Sequence, residues 1–163
     1  VRECLDYARS LYGPDAKGKA SSSVEMVPTP SLQTGLELYL VGNILPSEHD
    51  DRDYISMILS VLKDNGTILS IHEVTSGGLF ATLLRLTQPL GFDLLCCKEI
   101  RLDSFLFGEE SGRFVISLPE PQVGLFLQKI TEAGLNCCLL GRVTSGRVVV
   151  DGMDFGPSCD FYI

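Results

Sequence analysis

The stretch from Thr67 to Leu90 most narrows what this chain can fold into. A β-favouring run, Thr67 to Val74, passes through Thr75-Ser76-Gly77-Gly78 into a segment whose Leu79, Leu83, Leu86 and Leu90 recur at i, i+4, i+7 and i+11. The run suits a strand, and the leucine spacing is that of a helix with one apolar face. With only four residues between them, two of them glycine, the junction is a tight turn, and the helix folds back over the sheet to bury its leucines. Similar patterns recur along the chain. Leu36-Glu37-Leu38-Tyr39-Leu40-Val41-Gly42 reads as a buried strand. Asp50, Asp51 and Asp53 precede Tyr54, Ile55, Ile58, Leu59 and Leu62, and Asn65-Gly66 follows, which predicts a helix with acids at its positive end and a glycine C-cap. Further strands are expected at Phe92 to Ile100, Arg113 to Leu118, Asn136 to Val143 and Arg147 to Val150, with a helix through Val123, Phe126, Ile130 and Ala133 that ends at Gly134. Strand and helix alternate while some strands are adjacent. The expected fold is α/β (α+β), a mixed β-sheet packed with two main helices in a sandwich.

Ahead of this region, Leu5, Ala8 and Leu11 predict a short helix within Val1 to Tyr12, stopped by Gly13-Pro14. Asp15 to Ser23 has no periodicity and Pro28-Thr29-Pro30 follows, so a flexible connector is expected. The organisation that results is a helix and connector over 1–35, one domain over 36–152 and a C-terminal tail over 153–163. No internal repeat is present. A length of 163 residues suits one ordinary domain and is too short for a complete multi-substrate synthetase. The start at Val1-Arg2-Glu3, with neither Met nor an apolar signal core, suggests a piece of a larger polypeptide.

Charge excludes several function classes. Thirteen Lys and Arg against twenty-one Asp and Glu give a net charge of −8, so no basic surface is available for nucleic acid or an anionic membrane. The apolar runs are strand-sized, well short of the roughly 18–20 residues that span a bilayer. Six cysteines, Cys4, Cys96, Cys97, Cys137, Cys138 and Cys159, show no C-x-x-C spacing. On a strand each adjacent pair points one thiol to either face, a poor grip on one metal, so they are expected as reduced thiols in a cytoplasmic protein.

Three segments carry polar groups suited to chemistry. At His72-Glu73-Val74-Thr75-Ser76-Gly77-Gly78-Leu79 the helix N-terminus offers unpaired N–H groups and a positive dipole end, with glycines that permit close approach. Thr75, Ser76, Gly77 and Gly78 are therefore candidate phosphate or substrate contacts, and the alternative is a Thr75 or Ser76 N-cap in a tight turn. His72 is the candidate catalytic proton carrier, or else a hydrogen-bonded structural residue. Glu73 either orients it or binds a metal, although neighbours on a strand diverge. In Leu106-Phe107-Gly108-Glu109-Glu110-Ser111-Gly112-Arg113, Glu109 is a second candidate Mg²⁺ ligand alongside nucleotide phosphates, or part of a solvated turn. His49-Asp50-Asp51-Arg52-Asp53 is better explained by the helix dipole than by a metal.

Taken in order, the His72–Leu79 segment, Leu106-Phe107-Gly108-Glu109-Glu110, the run Arg113 to Leu118 and Gly141-Arg142-Val143 resemble the C-terminal domain of the aminoimidazole ribonucleotide synthetase-like superfamily. Within it the chain is most similar to the phosphoribosylformylglycinamidine synthases, whose pattern there is His-Asp-x-Ser-Asp-Gly-Gly-Leu followed by Leu-Phe-x-Glu. The resemblance implies a domain of an ATP-dependent, glutamine-using carbon–nitrogen ligase of purine biosynthesis. That ligase converts formylglycinamide ribonucleotide to formylglycinamidine ribonucleotide, with ATP and Mg²⁺ as cofactors of the full-length enzyme and none required by this fragment. It also implies partners: an ATP-binding domain and a glutaminase domain. A non-catalytic structural module, or a relative of selenophosphate synthetase or thiamine-monophosphate kinase, is the alternative. Where the pattern has Asp, this chain has Glu73 and Ser76, and a serine does not replace an anionic Mg²⁺ ligand. The resemblance also implies that long-form enzymes carry two pairs of an ATP-binding and such a C-terminal domain, one of them competent, and this departure suits the non-catalytic half or a position where the loop supports structure.

Overall fold

The computed structural model describes Glu3, Asp6, Tyr7, Ser10 and residues 33–42, 52–96, 98–109 and 111–161. The connector expected between the N-terminal helix and Leu36 lies outside these residues, as do His49, Asp50, Asp51, Cys4 and Cys97. Glu3, Asp6, Tyr7 and Ser10 are helical.

Seven strands and four helices follow: β1 (Glu37–Gly42), α1 (Arg52–Asp64), β2 (Ser70–Glu73), α2 (Gly78–Thr87), β3 (Gly91–Leu94), α3 (Leu102–Phe107), β4 (Arg113–Leu118), α4 (Val123–Glu132), β5 (Cys137–Thr144), β6 (Arg147–Val150) and β7 (Met153–Pro157). The strands form one sheet in the order β2-β4-β1-β5-β3-β6-β7. Pairing is antiparallel except between β3 and β6, which run parallel. This is the mixed sheet and α/β sandwich that the alternation of patterns predicts.

Alternation along the strands divides the core in two. Leu38 and Leu40 of β1 and Val115 of β4 face a cluster with Leu79, Phe80, Leu83, Leu84 and Leu86 of α2 and Phe105 and Leu106 of α3. Tyr39 and Val41 of β1 and Phe114, Ile116 and Leu118 of β4 face Ile55, Leu59 and Leu62 of α1 and Phe126 and Ile130 of α4. Each face is thus covered by two helices, which buries β1 and β4 on both sides and explains why they read as unbroken apolar runs. The cysteine pair on β5 splits as strand geometry requires, Cys137 packing on the second cluster and Cys138 on the first.

Several boundaries differ from expectation, each for a local reason. Helix α2 stops at Thr87, not Leu90, because Pro89 pushes Gln88 out of helical geometry, to ψ 138°. Strand β3 ends at Leu94 instead of Ile100, where the Asp151 carboxylate accepts the Cys96 N–H at 2.8 Å and diverts the chain. Helix α3, six residues long, is too short to show a helical period. Residues 153–157, expected within a tail, form β7 against β6, and Phe155 and Phe161 join the first cluster. The last segment is tied down by Gln88, whose Nε2 donates to the Ser158 and Phe161 carbonyls at 3.1 and 3.0 Å.

Candidate functional site

Strand β2 is an edge of the sheet, and its C-terminal end delivers the chain into the turn before α2. His72 pairs with Val115 and Glu73 with Phe114, so the imidazole projects to the α2 face and the carboxylate to the α1 face. The two side chains diverge, as expected for neighbours on a strand. Half-buried His72 has its pKa lowered from the ordinary value, chiefly by burial and further by the Lys63 and Arg85 charges, so it is a neutral proton acceptor at pH 7. Two residues before it, the buried Ser70 and Ser117 hydroxyls hydrogen-bond to each other across β2 and β4. Glu73 is held by Arg52 at the start of α1, with Nε 2.7 Å from Oε1 and Nη2 2.9 Å from Oε2. Such a forked pair commits both carboxylate oxygens.

The turn is not capped in the way the N-cap alternative expects. The N-cap of α2 is Gly77, in the left-handed region at φ 88° and without a side chain of its own to cap with, so neither Thr75 nor Ser76 is the N-cap. The Gly78 N–H is satisfied by the Thr75 carbonyl at 3.0 Å. The Gly77 N–H donates to Oε1 of Glu109 at 2.8 Å. Helix α2 has no acidic residue in its first turn, and Glu109, arriving from the loop after α3, supplies the negative charge that a helix N-terminus favours. On the other side Arg85 donates through Nη2 to the Ser76 carbonyl and through Nε to the Ala81 carbonyl. A carboxylate and a guanidinium therefore grip the two ends of one peptide group, Ser76–Gly77, while the Thr75 and Ser76 residues stay exposed.

Gly78 has a structural duty that sequence alone did not reveal. A Cβ there would lie 2.6 Å from the Phe107 carbonyl carbon and Cα, and 2.8 Å from the Leu106 oxygen. Its bare backbone lets α2 lie against the C-terminal end of α3, so it is a packing glycine. The loop beyond α3 is fixed in turn by Arg113, a buried residue whose Nη2 donates to the Gly108 carbonyl.

The structure thus brings Glu109 to Gly77 and groups His72, Lys63 and Arg85 electrostatically, while Glu73 is bound on the other face. Among the described residues there is no group of three or more His, Cys, Asp or Glu side chains set to hold a metal ion. With Glu73 forked to Arg52, Glu109 spent on Gly77 and serine at position 76, these residues do not fit Mg²⁺. Arg52, Arg85 and Arg113 were not singled out from sequence; each acts across 5 to 21 residues through a fold-dependent contact. No described helix is long and apolar enough to cross a membrane.

The family profile "AIR synthase related protein, C-terminal domain" matches residues 47–152. The phosphoribosylformylglycinamidine synthase subunit PurL of Chlorobaculum tepidum is 29% identical over 163 residues, an alignment covering 89% of this chain and 21% of that protein. The structure of T. maritima PurL complexed with ATP superposes with a TM-score of 0.65 at 12% identity, covering 79% of this chain and 26% of that one. PurLQS from Thermotoga maritima gives a TM-score of 0.64 at 13% identity, over 77% and 26%. The chain thus spans about a quarter or less of each of these relatives.

Proposed function

This chain belongs to the AIR synthase related protein C-terminal domain family, and we propose that it is one such domain of a phosphoribosylformylglycinamidine synthase. The observation that carries the reading is the family match over 47–152 together with a PurL relative aligned across 89% of the chain. In this reading the parent protein is a cytoplasmic ATP-dependent ligase of purine biosynthesis that uses glutamine-derived ammonia. ATP phosphorylates the amide oxygen of formylglycinamide ribonucleotide, and ammonia displaces the phosphate to leave the amidine.

This chain contributes one wall of the cleft and an interdomain surface. The exposed Thr75 and Ser76 residues form the lip that meets an anionic substrate group, the Gly77 amide joining them when the substrate displaces the Glu109 carboxylate, with Gly78 holding the lip against α3. Arg85 gives the lip a positive charge. Neutral His72, on the same face of the sheet as α2, is the group able to take up a proton. Mg²⁺ enters with ATP and is held by other parts of the polypeptide, consistent with the carboxylate partners described above. The ATP-binding and glutaminase domains are the proposed partners, in the same or an associated chain, and the isolated domain forms no amidine.

A second reading, the non-catalytic half of a two-copy enzyme, is favoured by one observation. Glu109 already occupies the Gly77 N–H, the group to which a phosphate would bind. Thermal unfolding separates the two. Formylglycinamide ribonucleotide at about 10 times its Kd raises the midpoint by roughly 3–6 °C if the lip binds substrate. An unmoved midpoint at millimolar ligand favours the non-catalytic half.

A further inference from the structure

A cavity of about 510 Å³ lies between the N-terminal helical residues and α3, lined by Glu3, Tyr7, Asp103, Ser104, Phe107 and Gly108. None of these residues takes part in the function proposed above. The aromatic pair in its wall is ordered edge to face, with the Tyr7 and Phe107 centroids 5.3 Å apart and their planes at 87°. Phe107 is backed by Phe80 of α2, centroid to centroid 6.2 Å. The volume falls in the range of roughly 300–1,000 Å³ typical of small-molecule sites.

The lining narrows the ligand. Among the described residues it holds two carboxylates, Glu3 and Asp103, and no Lys or Arg, in a chain of net charge −8. Phosphates and carboxylates are repelled there and cations attracted. Tyr7 is 54% exposed, which leaves aromatic surface on which a cation is stabilised by the ring quadrupole. Asp103 already binds one planar cation: Arg101 places Nε 3.2 Å from Oδ1 and Nη2 2.9 Å from Oδ2. The Ser104 N–H, 2.9 Å from the same Oδ1, holds that carboxylate in place. Arg101 and Asp103 are 83% and 51% exposed, against 53% and 23% for the equally forked Arg52 and Glu73, so this pair is the weak and exchangeable one. A compact ammonium is more strongly hydrated and presents no flat face to the ring.

We propose that this cavity binds a planar amidinium or guanidinium group, stacked on Tyr7 with its N–H donors directed at Glu3 and Asp103. Such a group is carried by a small-molecule amidine or by the arginine side chain of a protein partner. The inference does not rest on the function proposed above. Its test is an NMR titration of the chain with benzamidine, with its neutral isostere benzamide and with N-acetylarginine amide.

Benzamidine, N-acetylarginine amide or both are expected to shift the Tyr7 and Phe107 ring resonances saturably, with the tighter of the two identifying the source, while benzamide does not. Tyr7→Leu, which keeps an apolar side chain but removes the π-face, and Glu3→Gln, at an exposed position, are each expected to weaken binding by about 3-fold or more. Benzamide binding as tightly as benzamidine overturns the proposal. So does the lack of a saturable shift with either cation up to about 20 mM, or an affinity unchanged by Glu3→Gln.

Discussion

The Glu109 carboxylate accepts the Gly77 N–H at 2.8 Å across 32 residues of sequence, joining the loop after α3 to the first turn of α2. A side chain thereby plays the part of an anion at a helix N-terminus. Replacing Glu109 with Ala leaves that amide to water, and because the carboxylate is exposed the loss is expected to be modest, about 0.5–1.5 kcal/mol in urea unfolding. The same variant unmasks the amide. Phosphate-dependent shifts at Gly77 are expected at lower concentration in Glu109→Ala than in the wild type, without any metal, and equal responses would show that Glu109 does not guard the turn.

Gly78 gives a sharper result. Its φ of +73° strains any L-residue, and a Cβ would lie 2.6 Å from backbone atoms of Phe107. Gly78→Ala is expected to destabilise by about 2–4 kcal/mol, combining backbone strain with overpacking. Gly66 is the control, with a similar φ of +76° and nothing within 4 Å of a built Cβ, so Gly66→Ala costs about 1 kcal/mol. Similar denaturation midpoints for the two variants would contradict the packing role.

The His72 shift sets a direction for pH dependence. Its pKa is lowered in the folded chain, by burial first and then by Lys63 and Arg85. The neutral form is therefore favoured by folding. The stability this contributes is fully present above the unfolded value of about 6.5 and falls as pH drops from there toward the lower folded value, where it levels off. His72→Gln flattens that part of the stability curve. A variant as pH-sensitive as the wild type between pH 7 and 5 would assign the dependence to other groups.

Truncation tests the end of the domain. Deleting residues 153–163 removes β7 from the sheet edge and takes Phe155, 8% exposed, and Phe161, 4% exposed, out of the core. Removing one buried phenylalanine side chain costs about 3–5 kcal/mol, so loss of both, together with the Gln88 hydrogen bonds, is expected to abolish cooperative unfolding in near-UV circular dichroism. Retention of a sharp transition would make the strand dispensable.

Patterning in the sequence was enough to determine the layers. The apolar runs of β1 and β4, the leucine spacing of α2 and the capping signals around α1 and α4 are local, because each depends only on how side chains repeat along one strand or one helix. The same local logic foretold that His72 and Glu73 diverge and that Cys137 and Cys138 point to opposite faces of their strand. Short α3 and the strand β7 escaped, since six residues make less than two helical turns and an edge strand containing Asp154, Gly156 and Pro157 lacks a clean alternation. What tertiary structure alone decided is who partners whom. Sequence marked Glu73 and Glu109 as carboxylates available to a metal, yet the fold places Arg52 against the first and the Gly77 amide against the second. It marked Gly78 as a candidate ligand contact, and the fold also sets Phe107 where its side chain would be. A carboxylate or a glycine specifies a capacity, and only the packing of distant elements specifies which neighbour satisfies it.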